Sequence, residues 1–498
     1  MPPLRVCVLV SSYEGSDSEL KEYEGDLFQN PANYFSKEDE NEFTFTLVEI
    51  RKATSYRQIR QLVKSGNYDL FYNQCDGAKD EDRAGIDVVE ALEEFLVPFT
   101  GATSKFYEPT KPEMKMVAYY YNINTARYAV VEQGEDVLEL CKELRYPLIV
   151  KHISGYSSVG MDKSCKVLNA EQLKKRTEAF VEEYQLALVE EFITGDEATV
   201  LACRDETQPD GVRVFHPVQV NFPKGEDFRH FHLKWESFEG MEWTLVKDTD
   251  PALPQMTEMA RKAFKKMMGG IGYGRIDVRI DRKTNEVFFL EINPNCGIMY
   301  PMGQEGSADW ILKLSPDFKQ KDFAKLQIKE ALRYNDSIRL LYSVNFDNKR
   351  GYHLRAVEAI PKGKVILEDE SRAVRLVTKP YAQTHFSPEL YNDFVHNAWP
   401  LGADSHYYAL WDREPRHWRS FNHSCSPNMC FGPERSLNVI ALHDIKKGEE
   451  LTMDYRQFMD GNMPSFKCYC NAPNCAGTIV PGSLLSTPIA GRSVSSEH

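Results

Sequence analysis

Arg419-Ser420-Phe421-Asn422-His423-Ser424-Cys425-Ser426-Pro427-Asn428 is followed by Glu450-Leu451-Thr452-Met453-Asp454-Tyr455, and then by Cys468, Cys470 and Cys475 in a C-x-C-x4-C run. The three late cysteines crowd a loop rich in Asn, Pro and Gly, too tight for all of them to pair as disulfides, so metal thiolate ligation is the better reading. A tetrahedral zinc site needs a fourth ligand, and the thiol of Cys425, set in a polar His-Ser-Cys-Ser turn, is the nearest chemically sensible donor. The metal would then tie the tail to the Asn422-His423 segment. Reduced surface thiols fit the same spacing.

The three signals together resemble the SET domain of protein-lysine methyltransferases with its post-SET zinc loop. Ser420 and Phe421 stand where Phe and Ile are usual in the first motif, and E-L-T-x-D-Y is met in full. Gly351-Tyr352-His353-Leu354-Arg355-Ala356, followed by Ile360-Pro361-Lys362-Gly363, resembles the family's opening motif with His353 at its second glycine. Backbone amides of that turn approach the cofactor in the family, so a side chain there bears on S-adenosylmethionine binding. The resemblance implies that Gly351, Tyr352, His353, Arg419, Asn422 and His423 contact S-adenosylmethionine and that Tyr455 orients amine and methyl group. Methyl transfer from a sulfonium needs a neutral lysine amine held in line inside a desolvated channel. Tyr407, Tyr408 and Trp411 are candidates for its walls, although such aromatics more often serve a core. Met453 occupies the position of a Phe or Tyr that influences how many methyl groups are added.

Upstream, Leu4 to Val10 reads as a buried strand, Phe43 to Ile50 as a second, Tyr56 to Lys64 as a helix and Tyr68 to Tyr72 as a third strand. Alternation of this kind predicts a parallel sheet with helices on its faces. The loop Asn73-Gln74-Cys75-Asp76-Gly77, with Glu81-Asp82 beyond it, lies where such sheets carry ligands, though a solvated acidic loop reads the same. Pro147 to Lys151 is a strand ending on a lysine, followed by Ser154-Gly155-Tyr156-Ser157-Ser158-Val159-Gly160-Met161, a loop of the kind that wraps phosphates. Farther on, Asp277 lies on the strand segment Gly274 to Val278, and Glu291 and Asn293, two apart, close another. All three can converge on one face as hard oxygen ligands suited to magnesium.

These segments resemble the ATP-grasp fold, closest to the D-alanine–D-alanine ligase branch, from about Arg5 to about Gly303. The resemblance implies that Lys115, Lys151 and Lys234 contact ATP phosphates while Ser157 and Ser158 close over them. Glu190, the backbone at Phe192 and Ile193, and Glu197 would hold adenine and ribose. Asp277, Glu291 and Asn293 would bind Mg2+, and Arg275 would stabilise the transferred phosphoryl group, charge stabilisation being what acyl-phosphate chemistry requires. The acceptor side departs from the family. Ser11-Ser12 replaces a glycine pair, Asp76 stands where histidine precedes Gly77, and Pro294-Asn295-Cys296-Gly297-Ile298-Met299-Tyr300-Pro301 lacks the Ser-Leu pair. A different substrate follows.

The expected organisation is multidomain: a pre-ATP-grasp α/β domain over 1–105, an α+β ATP-grasp domain over 106–316, and a helical linker over 317–337. A mostly-β SET domain over 338–460, a post-SET zinc loop over 461–480 and a disordered tail over 481–498 complete it. A length of 498 residues supports several domains, and 42% hydrophobic content supports real cores. No run of about 18 apolar residues and no signal-peptide pattern occurs, which leads to the expectation of a soluble intracellular protein, cytoplasmic or nuclear, without membrane partners. Eleven cysteines, mostly scattered singly, fit reduced thiols. The net charge of -14 argues against direct nucleic-acid binding and allows a basic protein or peptide substrate such as a histone. The expected activity is S-adenosylmethionine-dependent protein-lysine N-methylation beside an ATP/Mg module. The alternative is an ATP-dependent ligase joining a small-molecule carboxylate to an amine, with the SET domain only binding a lysine-bearing protein.

Overall fold

The computed structural model describes residues 2–14, 28–79, 81–154, 160–230, 233, 240–337, 341–347, 351–367, 376–400, 407–409, 421–432, 438–457 and 465–480. Two compact units divide the chain, Met1–Asn335 and Asp336–His498.

The first unit begins with β1 (Leu4–Ser11), β2 (Phe43–Ile50), α1 (Ser55–Ser65), β3 (Leu70–Asn73) and α2 (Ile86–Glu94). β1 is apolar almost throughout and buried on both faces, as the middle strand of a parallel sheet must be. The sheet order β2-β1-β3 is parallel throughout, as the alternation of elements predicts. α1 stops at Gly66, whose left-handed φ of 65° suits a residue without Cβ.

Next come α3 (Lys111–Tyr120), β4 (Tyr128–Glu132), β5 (Leu148–Lys151), β6 (Lys166–Val167), α4 (Ala170–Tyr184) and β7 (Leu186–Glu191). The four strands form an antiparallel sheet in the order β4-β7-β5-β6, and Leu173, Phe180 and Val181 of α4 pack on it. A larger sheet holds β8 (Asp196–Arg204), β9 (Val212–Val214), β10 (Val218–Asn221), β11 (Glu242–Leu245), β12 (Tyr273–Asp281) and β13 (Glu286–Pro294), with order β11-β10-β8-β12-β13 and β9 beside β8. α5 (Leu253–Met267) buries Met256, Ala260, Ala263, Phe264 and Met267.

α6 (Ser307–Leu314) and α7 (Gln320–Ser337) close the unit. One core joins Val6, Val8, Leu70 and Tyr72 to Leu201, Phe215, Tyr273, Ile311 and Phe323, so the parallel sheet and the larger sheet share a single apolar interior. Gly272 before β12 has φ +67°, and a Cβ there would stand 2.1 Å from the carbonyl oxygen of Gly101. Only glycine fits that approach.

The second unit is mostly strands: β14 (Tyr342–Asp347), β15 (Gly351–Ala356), β16 (Val365–Leu367) and β17 (Leu376–Thr378), then α8 (Lys379–His385) and α9 (Pro388–Asn397). β18 (Trp399–Pro400), β19 (Tyr407–Ala409), β20 (Asn422–His423), β21 (Met429–Phe431), β22 (Val439–Ala441), β23 (Thr452–Met453), β24 (Phe466–Lys467) and β25 (Thr478–Ile479) follow. They pair as small sheets β14-β15, β16-β22-β21, β17-β19-β18, β20-β23 and β24-β25, of which β20-β23 is parallel. Among the described residues, no helix is long and apolar enough to cross a membrane.

Candidate functional site

In the first unit a cleft of about 900 Å3, open to solvent, lies between the four-stranded sheet and the larger sheet. α3 is launched by a capping box in which Thr110 Oγ1 accepts the Glu113 N–H (3.3 Å) and Glu113 Oε2 accepts the Thr110 N–H (2.7 Å). Lys111 therefore sits in the first turn and Lys115 one turn later on the same face.

Lys115 is wholly buried, and its three protons are all used: Glu190 Oε2 at 2.8 Å, Thr125 Oγ1 at 2.8 Å and Ala126 O at 3.2 Å. The other Glu190 oxygen meets Lys151 Nζ, a diagonal cross-strand contact between β5 and β7. Burial pushes the Glu190 carboxyl up, but the two ammonium groups outweigh it and hold it at about 2. Burial also pushes Lys115 down.

On the larger sheet, Arg275 grips Asp277 with two parallel bonds, Nε to Oδ1 and Nη2 to Oδ2, each 3.0 Å. Thr199 Oγ1 (2.8 Å) and Asn293 Nδ2 (3.2 Å) also donate to Asp277, and Arg229 Nη2 lies 3.5 Å away. Burial would raise Asp277, and Arg275 and Arg229 overturn that and keep it an anion. Lys111 Nζ meets Glu291 Oε2 at 3.0 Å. Glu197 accepts from Arg229 Nε (2.7 Å) and Arg279 Nη1 (3.2 Å), so its carboxylate is held by two guanidiniums.

The convergence of Asp277, Glu291 and Asn293 depends on a bulge. Asp277 pairs with Glu291 but Val278 pairs with Phe289, leaving Leu290 as the extra residue of β13. Val287 and Phe289 are wholly buried, whereas Leu290, Glu291 and Asn293 line the cleft. One added residue thus reverses the alternation and brings both polar groups to the side of Asp277.

Lys151, Glu190, Phe192, Ile193, Glu197, Arg275, Asp277, Glu291 and Asn293 all line this one cleft, with Lys115 behind Glu190. Ser157, Ser158 and Lys234 lie outside the described residues. Arg229, Arg279, Lys111 and Thr199 are additions that the sequence reading missed. Arg279 was findable, since it continues the period-two face of Arg275 and Asp277 along β12. At the parallel sheet, Ser11 Oγ donates to Ala84 O (2.6 Å), Ser12 Oγ to Glu49 Oε2 (3.2 Å), and Arg83 Nη1 to Asp76 Oδ1 (2.9 Å).

In the second unit, β20 carries Asn422 and His423 beside Thr452 and Met453 of β23. Asn422 Nδ2 donates to Glu450 Oε1 (2.9 Å). Asn428, also missed, bonds this segment to the other motif: Nδ2 donates to Glu450 O (2.8 Å) and Oδ1 accepts the Thr452 N–H (2.9 Å). Tyr455 donates its hydroxyl proton to Phe421 O (2.6 Å), and burial pushes that phenol up to about 12. Its ring packs edge-on to Phe421, His423 and Phe466.

The sulfurs of Cys425, Cys468, Cys470 and Cys475 lie within 4.8 Å of one another, and Cys425 and Cys468 are 3.9 Å apart. A tetrahedral Zn–S distance of about 2.3 Å implies an edge of about 3.8 Å, so the spacing fits a zinc ion and is far from a disulfide. Backbone N–H groups of Cys425, Cys470, Ala476 and Gly477 point at these sulfurs from 3.4 to 3.5 Å, as thiolate ligands require. His353 is buried and pairs in register with Asn345. Tyr408 is buried with its ring 5.0 Å from Phe394. Arg419, Trp411 and the tail over 481–498 lie outside the described residues, as do the side chains of Tyr352 and Tyr407.

Residues 116–302 match the family model described as D-ala D-ala ligase C-terminus, and residues 351–456 match that of the SET domain. The chain carries a D-ala D-ala ligase C-terminal domain followed by a SET domain. A D-alanine–D-alanine ligase of Xanthomonas axonopodis pv. citri (strain 306) is 27% identical over 236 residues, covering 46% of this chain and 70% of the relative. A histone-lysine N-methyltransferase, H3 lysine-36 specific, of Mycosarcoma maydis is 29% identical over 148 residues, 29% of this chain and 14% of that protein. The solved D-alanyl-alanine synthetase A from Vibrio cholerae O1 biovar eltor str. N16961 aligns with TM-score 0.50 at 16% identity, over 67% of this chain and 99% of its own. That likeness concerns the fold alone: an ATP-grasp-like ligase fold occupies the N-terminal two-thirds and the SET domain follows it.

Proposed function

We propose that the chain is an S-adenosylmethionine-dependent protein-lysine N-methyltransferase whose ATP-grasp unit binds ATP and Mg2+. The observation that carries this reading is the half-buried Tyr455, whose hydroxyl is fixed on Phe421 O beside the Asn422-His423 strand and the four-cysteine cluster. S-adenosylmethionine, when bound, supplies the methyl group as a sulfonium. Asn422 and His423, with Gly351, Tyr352, His353 and Arg419, are the residues proposed to hold it. The Tyr455 phenol, kept protonated by burial, orients an incoming lysine amine while the aromatic surround excludes water. Cys425, Cys468, Cys470 and Cys475 would hold Zn2+ and pin the C-terminal loop beside Asn422. A basic protein such as a histone is the proposed substrate, and the proposed location is cytoplasmic or nuclear.

In the cleft, Asp277, Glu291 and Asn293 present hard oxygen donors for Mg2+, and Lys151 and Arg275 present cations to phosphates, whereas Lys115, proposed from the resemblance as a third phosphate contact, stands behind Glu190 and acts through it. Glu190, Phe192, Ile193 and Glu197 border the space proposed for adenine and ribose. Labelled S-adenosylmethionine with histones and cell extract tests the transfer. Tyr455→Phe should lose most labelling, and equal labelling would remove Tyr455 from the mechanism.

The second reading is ATP-dependent ligation of a carboxylate to an amine, with the SET domain binding a lysine-bearing protein. The buried His353 at a glycine position, set against the ion pairs of the cleft, favours it. ADP release stimulated by amino acids or peptides, and abolished by Glu291→Gln, would support ligation. No nucleotide binding would defeat it.

A further inference from the structure

His423 touches both the four-cysteine cluster and the backbone of Tyr455. Its Nδ1 accepts the Tyr455 N–H at 3.1 Å, and its Nε2 lies 3.3 Å from Cys425 Sγ. A neutral imidazole has one donor and one acceptor nitrogen. Because an N–H is aimed at Nδ1, the ring proton sits on Nε2 and is donated to sulfur. The side chain is only 4% exposed and is flanked by the rings of Tyr455 (5.4 Å) and Phe466 (6.0 Å).

We propose that His423 is a positioning residue that couples the four-cysteine cluster to Tyr455, holding the Tyr455 amide through Nδ1 while donating Nε2–H to Cys425. The step from there to catalysis rests on the methyltransferase reading; the coupling itself does not. A sulfur accepts a hydrogen bond strongly only as a thiolate, the form in which it ligates metal. Zinc held by the cluster therefore fixes the imidazole, and the imidazole fixes the start of the short helical turn over Tyr455–Gln457. Asn422, one residue earlier, is held by a separate bond to Glu450 and does not join the two.

Two substitutions take the two ends apart. The amide oxygen of His423→Asn lies near the place of Nδ1 and keeps the acceptor for Tyr455 while losing the donor to sulfur. The longer side chain of His423→Gln puts an N–H near the place of Nε2 and loses the acceptor. On full-length protein loaded with zinc, the rate of zinc transfer to a coloured chelator reports one end. Amide hydrogen exchange of the peptide containing Tyr455, read by mass spectrometry, reports the other.

Loss of a contact supporting a metal ligand typically costs 10–100-fold in metal affinity, so His423→Asn should release zinc at least about tenfold faster with Tyr455 exchange unchanged. His423→Gln should keep zinc at the natural rate while the Tyr455 amide exchanges faster. Both variants moving both readouts alike, or neither variant moving either, would overturn the coupling. Neither readout uses S-adenosylmethionine, so a natural protein that transfers no methyl group would sink the methyltransferase reading and leave this result standing.

Discussion

Glu190→Gln removes the shared counter-ion of Lys115 and Lys151 while keeping the shape of the side chain. Lys115 has no exposed surface, so its ammonium keeps only neutral acceptors: Thr125 Oγ1, Ala126 O and the glutamine amide oxygen. Breaking one side of a buried ion pair costs about 3–5 kcal/mol, because the remaining charge stays out of water. Unfolding entropy of about 2.1 cal/mol/K per residue gives about 0.7 kcal/mol/K for the unit Met1–Asn335, hence a fall in Tm of about 4–7 °C. Scanning calorimetry measures it. Asp69→Asn, which breaks the exposed Arg5–Asp69 pair, should leave Tm unchanged within scatter.

Adding Lys115→Met to Glu190→Gln deletes charge and counter-ion together and should recover at least half the loss. A fall below about 1 °C in the single variant, or no recovery in the double, would refute the argument that burial and not mere proximity sets the strength of the pair. The pH dependence has a definite sign. Glu190 is held at about 2 in the folded protein, below its usual range near 4.3, so its contribution is complete above that range and is lost as pH falls from about 4.3 to about 2. Glu190→Gln should flatten this acid limb.

Asp309 goes the other way. Burial raises it to about 7 even though the Met299 and Tyr300 N–H groups donate to it, so stability should fall between about pH 4 and 7 as the folded protein resists losing that proton. Asp309→Asn should remove this slope in denaturant titrations run across that range. Gly272→Ala forces a Cβ against Gly101 O at a left-handed φ and should cost more than about 1 kcal/mol by urea unfolding. Elemental analysis should give about one zinc per chain, and Cys475→Ser should lower that content and loosen the pairing of Phe466–Lys467 with Thr478–Ile479, read by proteolysis.

The elements built on local pattern were legible in the sequence. The apolar run of Leu4–Ser11 and the alternation after it specify a parallel sheet, and Cys425 with the late cysteines specifies the four-cysteine cluster. Asp277, Glu291 and Asn293 were legible as a set because their residue types and spacing put oxygen-bearing side chains on one face, and all three line the cleft. What escaped depends on the fold closing over distance. Arg229 reaches Glu197 from 32 residues away, and Asn428 links Glu450 and Thr452 from another strand. Glu190 was read as a nucleotide contact, while its two lysine partners come from α3 and β5 and become visible only when both meet it.

The unpaired Leu290 makes the cleft depend on arithmetic as well as chemistry. Were Leu290 to take a ladder place of its own opposite Asp277, the strand would keep every polar letter of its neighbourhood yet turn Glu291 and Asn293 into the greasy interior beside Phe289. Exchanges of one residue for another along this hairpin leave the parity intact. A one-place slip of register would act like a frameshift in space.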